Sequence, residues 1–247
     1  MGINPSMGYY SFRDAAGLQG LHRIARDWRM THMDRKWLVS HLRSHLSMRN
    51  FVIIGNKATT TPMFSLEDIP GTSGRLDILC RCVTAAFVLS HGIRKDVCVY
   101  LVLLGGEIPK TVRLDGETLR HLNPDERTTA ALLKKALAVS ATPDWASSTS
   151  GIFVRTGGLA NVLADLKGAR MLCLREDGAD IRSVAGCDIS GDVAFILGDH
   201  MGIAPKEWTV IEQAGAVVVS IGPVSLHADH CIVLMNWMMD TNWLLAI

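Results

Sequence analysis

No stretch of the chain approaches the ~20 consecutive apolar residues that a membrane-spanning helix needs. The longest apolar run, Val97 to Leu104, has the length of a strand. The segment Met1 to Arg13 lacks the apolar core of a secretory signal, so the expectation is a soluble cytoplasmic protein with no membrane partner. Charge of one sign is also missing. The 25 Lys+Arg stand against 24 Asp+Glu, a net of +1, which excludes a polybasic coat protein and leaves RNA binding to local patches. The six cysteines include no Cys-x-x-Cys pair, so a zinc knuckle and a thioredoxin-like motif are both unavailable. Cys80, Cys82, Cys98, Cys173 and Cys231 lie in apolar patterns and Cys187 in a loop, as free thiols do in a reducing compartment. Only 20% of the 247 residues are charged and 48% are apolar. That excludes a disordered chain and allows one large domain, or a domain with an appendage.

The loud nucleotide motifs are absent as well. The first expected strand, Phe51–Ile54, runs into Gly55-Asn56-Lys57 rather than G-x-G-x-x-G. There is no P-loop, no G-x-S-x-G elbow and no internal repeat.

What is present divides near residue 48. Residues 1–47 carry seven Lys+Arg and three acids, a net of +4, while the remaining 200 residues carry 18 against 21, a net of −3. Leu18, Leu21, Ile24 and Trp28, then Trp37, Leu38 and Leu42, follow helical spacing. Three readings stand for this segment: a basic helical extension touching nucleic acid, an accessory solvated pair of helices, or sequence upstream of a natural start at Met48. From Met48 onward strands and helices alternate. Helices are expected at Gly74–Ser90, from an Asn123-Pro124 cap to about Ala138, at Leu159–Leu166, at Pro205–Ala214 and from about Leu226 to the end. Strands are expected at Val97–Leu104, Thr111–Asp115, Met171–Leu174, Val193–Leu197 and Ala216–Ser220, with a polar loop over Thr142–Gly151. The alternation predicts an α/β protein with a mostly parallel sheet, and the uniformly apolar Val97–Leu104 belongs inside it.

Two candidate sites each have a plainer alternative. Gly71-Thr72-Ser73-Gly74 could cradle a phosphate at a helix start or simply form a capping loop. His227-Ala228-Asp229-His230 with Asp199-His200 has metal-binding residue types, but capping and loop packing explain the same spacing, and no metal is expected. A sharper pattern comes from three expected strand ends: Leu174 followed by Arg175 to Gly178, Leu197-Gly198-Asp199-His200 and Ser220-Ile221-Gly222-Pro223. Ligands of open parallel sheets bind outside the carboxyl ends of strands. Gly198 and Gly222 would admit close backbone approach, and Leu174, Ile221 and Leu226 would wall an adenine slot. On this view Gly198→Val should block the slot with little loss of folding.

From Met48 to about Asp240 the chain resembles the archaeal tRNA pseudouridine-54 N1-methyltransferase family of the SPOUT superfamily. The likeness rests on Met48-Arg49-Asn50-Phe51, Pro70-Gly71-Thr72-Ser73-Gly74-Arg75-Leu76-Asp77, Cys80-Arg81-Cys82, Leu89-Ser90-His91-Gly92-Ile93-Arg94, Asn123-Pro124-Asp125-Glu126-Arg127 and Ser150-Gly151-Ile152. It continues through Ile196-Leu197-Gly198-Asp199-His200-Met201-Gly202-Ile203 and Leu226-His227-Ala228-Asp229-His230-Cys231. The resemblance implies a SPOUT-type α/β domain over 48–247, its parallel sheet ending in a deep C-terminal trefoil knot, with residues 1–47 as a short helical extension outside it. It implies S-adenosyl-L-methionine as cofactor, lined by Leu174, Gly198, Ser220, Ile221, Gly222, Pro223, Val224, Ser225, Leu226 and Cys231. A homodimer through the last helix (Trp237, Met238, Met239, Trp243) and tRNA, met at its T-loop, as partner are implied too. Within that chemistry Asp77 is the candidate for recognising or deprotonating the base, or else a first-turn carboxylate. Arg75, grouped with Asp77 as catalytic, and Arg81 are candidates for RNA phosphates, or else exposed helix charges. Competing expectations are a SPOUT enzyme acting on another RNA position, a non-catalytic RNA-binding or assembly protein on the same fold, and a metal-dependent hydrolase built on His200, His227 and Asp229.

Overall fold

The computed structural model describes residues 47–184 and 191–241. The expected helices of the first 46 residues, Cys187 and Trp243 lie outside the described residues. The elements in chain order are β1 (Arg49–Gly55), α1 (Ile69–Thr72), α2 (Leu76–Phe87), the short pair β2 (Val88–Leu89) and β3 (Gly92–Ile93), and β4 (Val97–Leu103). There follow β5 (Lys110–Asp115), α3 (Glu126–Ala138), β6 (Ala146–Ser147), β7 (Ile152–Thr156) and α4 (Leu159–Asp165). The chain continues through β8 (Arg170–Asp180), α5 (Ile181–Val184), β9 (Val193–Gly198), α6 (Pro205–Gln213), β10 (Val217–Ser220) and α7 (Ala228–Asp240).

An eight-stranded sheet has the order β10-β8-β9-β1-β4-β5-β7-β6. The five strands from β10 to β4 are mutually parallel, whereas β5, β7 and β6 add an antiparallel edge. Parallel strands are buried on both faces, and all seven residues of β1 and of β4 are buried. One face packs on α2, α3 and α7, with Leu76, Leu79, Val83 and Phe87 of α2 in its core. The other packs on α4 and α6. No helix among the described residues is long and apolar enough to cross a membrane.

The structure departs from the sequence expectation in four places. Helix α2 stops at Phe87, because Val88–Leu89 turn extended and pair with Gly92–Ile93. Helix α3 starts two residues late: Asp125 rather than Asn123 caps it, accepting the Thr128 N–H at 2.7 Å. The polar segment after Thr142 contributes β6 and leads into β7, a strand outside the sequence expectation. Strand β8 runs past Leu174 to Asp180. Its register against β10 jumps between the pairs Val218–Cys173 and Val219–Ala179, so residues 174–178 are extruded from the ladder.

Candidate active site

The extruded segment of β8 and the ends of β9 and β10 enclose a cavity of about 850 Å³, a size that suits a small-molecule cofactor. Leu174, Ile203, Ile221 and Leu226 supply apolar wall, while Gly198, Ser220, Gly222, Val224, Ser225 and Cys231 complete this side of the lining. Nine of the ten residues expected to line a cofactor slot are therefore brought together. Pro223 is not part of the wall. A Cβ built on Gly222 would meet nothing within 4 Å. At Gly198 it would lie 2.4 Å from the Gly202 backbone. The absent side chain of Gly198 thus makes room for the neighbouring loop, so Gly198→Val must disturb the fold, contrary to the sequence expectation. Burial pushes the Cys231 thiol up to about 11, so it stays protonated near neutral pH and donates toward the Leu226 carbonyl.

Arg75 and Arg81 reach the same cavity from the other side. Asp68 caps the short α1, accepting the Gly71 N–H at 2.9 Å, and Gly74 then turns with φ +65°. The glycine-rich segment is therefore the capping loop, and it delivers Arg75, itself at φ +72°, to the start of α2. The Arg75 guanidinium grips Asp77 through two bonds of 3.0 Å, and Arg81 adds one of 3.3 Å while also meeting Glu126 at 3.1 Å. Asp77 is only 2% exposed. Burial works against its charge, but the hydrogen bonds and charges of Arg75 and Arg81 outweigh it and hold the carboxyl below the usual carboxylate range. The first-turn carboxylate and the arginines are thus one unit, with Arg75 and Arg81 facing the cavity and Asp77 behind them.

Asp199 closes the floor. Its buried carboxylate accepts the Asn56 N–H, the Asn56 side-chain amide and the Met201 N–H, each at 2.8 Å. That binding capacity is spent on protein donors. His227 and His230 stack on one another with ring centroids 5.5 Å apart at the start of α7. Among the described residues no group of three His, Cys, Asp or Glu side chains could hold a metal ion.

A family model described as "Putative SAM-dependent RNA methyltransferase" matches residues 48–243. A protein of Methanococcoides burtonii named tRNA (pseudouridine(54)-N(1))-methyltransferase is 50% identical over 198 residues, covering 79% of this chain and 97% of that protein. A protein of Methanosarcina mazei with the same name is 50% identical over 194 residues, covering 78% and 91%. The chain belongs to the tRNA (pseudouridine(54)-N(1))-methyltransferase family. The crystal structure of Archaeoglobus fulgidus Nep1 bound to S-adenosylhomocysteine superposes on 79% of this chain and 97% of its own with a TM-score of 0.54 at 16% identity, a likeness of fold. For this pseudouridine methyltransferase family member, sequence reading missed Asn56, whose amide holds the cavity-lining Asp199, whereas Arg175-Glu176-Asp177, expected at a strand end, does border the cavity. Asn56 was passed over with the glycine motif it failed to complete. The extruded segment is a bulge that only the pairing of β8 with β10 reveals.

Proposed function

We propose that the protein transfers a methyl group from S-adenosylmethionine to N1 of pseudouridine 54 in the T-loop of tRNA, in the cytoplasm. The observation that carries this reading is the meeting, in one cavity, of a strand-end slot and the Arg75–Asp77–Arg81 unit, in a chain half identical to proteins of that name. The slot fits the cofactor. It combines apolar walls at Leu174, Ile221 and Leu226 with backbone-rich strand ends, and at Gly222 it leaves open the space that a side chain would fill.

When bound, the cofactor supplies a methyl group on sulfonium; the S–CH3 bond breaks as N1–CH3 forms, leaving a neutral thioether and releasing the N1 proton. Every other requirement falls on the protein. The base must be held with N1 facing the methyl group, and negative charge spreading into its carbonyls must be met by cations. Arg75 and Arg81 lie on the cavity wall and supply those cations. Asp77 cannot turn freely to take a proton while two guanidiniums hold it, so it serves recognition by orienting them. A T-loop base has to leave its stack to enter such a cavity.

The same reading extends to the chain path. After β9 the chain crosses past β8 to the sheet edge at β10, then returns in α7 to pack on α2. That return supports a trefoil knot. The outward face of α7 exposes Val233, Leu234 and Trp237, the last 51% exposed, and supports a homodimer through this helix. Residues 48–247 form the methyltransferase domain, with the basic segment before them contributing RNA contacts.

The deciding experiment is mass spectrometry of T-loop RNA carrying pseudouridine or uridine, incubated with the cofactor. The expected product appears only with pseudouridine, because the glycosidic bond of uridine occupies N1. Methylation of the uridine RNA would overturn the assignment.

A further inference from the structure

We infer that Asn56 is a positioning residue for methyl transfer, setting the cofactor-side wall of the cavity against the wall that presents Arg75; this rests on the proposed reaction. Asn56 bonds one wall of the cavity, and its neighbour Lys57 packs against the other. Its backbone N–H and its side-chain amide both donate to Asp199 at 2.8 Å, and the same amide nitrogen donates to the Gly202 carbonyl at 2.9 Å. Residues 198–202, which include both anchors, line the cavity. Asn56 therefore pins the cofactor-side loop at both ends.

The residue next to it is locked to the opposite wall. A Cβ on Gly74 would lie 1.8 Å from the Lys57 carbonyl oxygen, and one on Gly105 would lie 2.2 Å from it. Two glycines thus close around that carbonyl, and the Thr59 N–H donates to the Ser73 carbonyl at 2.9 Å. Arg75 follows Gly74 directly. The path from Arg75 to the loop 198–202 is short and close-packed: Gly74 against Lys57, then Asn56, then Asp199 and Gly202. A shift of about 1 Å between donor and acceptor can cost ~100-fold in rate, so this path bears on catalysis without touching the reacting atoms.

Asparagine is required here in a way that neither a small residue nor its acid can replace. Asn56→Ala removes the amide that joins Asp199 to Gly202. Asn56→Asp keeps the shape but sets a second carboxylate against Asp199 and no donor against Gly202. Beside that pair stand Arg75 from the turn before α2, His200 with Nδ1 3.8 Å from Asp199, and the exposed Lys57. Two carboxylates so placed bind a shared proton readily, and the shared proton restores a donor. The Asn56→Asp protein should then recover as pH falls, the opposite of a reaction that must release a proton from N1.

The test compares single-turnover methyl transfer to pseudouridine T-loop RNA at saturating RNA and cofactor, from pH 6 to 9, in the full-length protein and both variants, beside melting temperature. Expected is a loss of about tenfold or more in rate for both variants at pH 8, a rate relative to the parent that climbs toward pH 6 for Asn56→Asp alone, and cooperative melting throughout. Parent-like rates in a folded variant would overturn the inference. So would a ratio for Asn56→Asp that is flat with pH, or loss of cooperative melting in both variants, which would assign Asn56 to stability alone. If only Asn56→Ala fails to melt cooperatively, the isosteric Asn56→Asp decides by the same criteria. An inactive parent enzyme would instead sink the proposed reaction.

Discussion

Arg49, the first residue of β1, and Asp240, the last of α7, meet at 2.7 Å across 191 positions of sequence. Arg49 is almost wholly buried, and it also reaches Asp96 at 3.0 Å and the Asn236 side chain at 3.2 Å. Arg94 grips the other side of Asp240 at 2.6 and 2.8 Å. The returning helix is thereby clamped to the start of the central strand, at the end of the sheet opposite the cavity.

Removing Asp240 should loosen that clamp while sparing the cofactor slot. Asp240→Ala leaves the buried Arg49 with Asp96 and Asn236 only. Because Asp240 is itself partly exposed, the expected cost is about 1–3 kcal/mol, read by denaturant titration, with unchanged S-adenosylhomocysteine affinity by calorimetry. Burial opposes the charge on Asp240, but Arg94 and Arg49 outweigh it and lower its pKa. A carboxyl lowered on folding stabilises above its unfolded pKa, and that stability fades as pH falls through the folded value. The difference between parent and variant should therefore shrink below about pH 4.

The two glycines of the slot should behave differently. Gly198→Ala drives a Cβ into the Gly202 backbone, so melting temperature and cofactor affinity should fall together. Gly222→Ala meets open space but keeps an unfavourable φ of +156°, at a cost of about 1–3 kcal/mol. Equal losses of stability in the two would place the 198–202 loop elsewhere.

Asp77→Asn should slow transfer by about tenfold or more, roughly 1.4 kcal/mol, with cofactor affinity nearly unchanged. It weakens the hold on Arg75 and Arg81 without emptying the position. Arg75→Lys should be almost as harmful, since an ammonium cannot copy the two-pronged grip on Asp77. Single-turnover rates beside calorimetry check both, and a Lys variant with the parent's rate would reduce Arg75 to a point charge.

RNA binding should weaken as salt rises, even though the chain from Met48 is net negative, because each phosphate contact releases counterions. Arg81→Ala should flatten the log–log salt slope by about 1. If residues 1–47 supply further contacts, the chain from Met48 should bind cofactor normally and show a still flatter slope. Fluorescence anisotropy across a salt series reads both, and an unchanged slope in the shortened chain would remove the extension from the interface.

Local composition was enough to determine the alternation of strand and helix, the buried strands β1 and β4, and the glycine-marked strand ends. Apolar runs, capping residues and turn glycines act within a few positions, so their order in the chain records them. The resemblance of the motifs to one methyltransferase family named most of the other residues that line the cavity beside those strand ends. What only the tertiary structure decided depends on partners far away in sequence. The antiparallel edge and the extruded segment 174–178 follow from which strand arrives alongside. Asp77 reads from sequence as a carboxylate for the base or else a first-turn acid, and folding buries it and brings Glu126 onto Arg81 beside it. Asn56 and Asp199 lie 143 residues apart. No periodicity links them, because hydrogen bonds across such separations are set by how the strands pack and not by the pattern along either one.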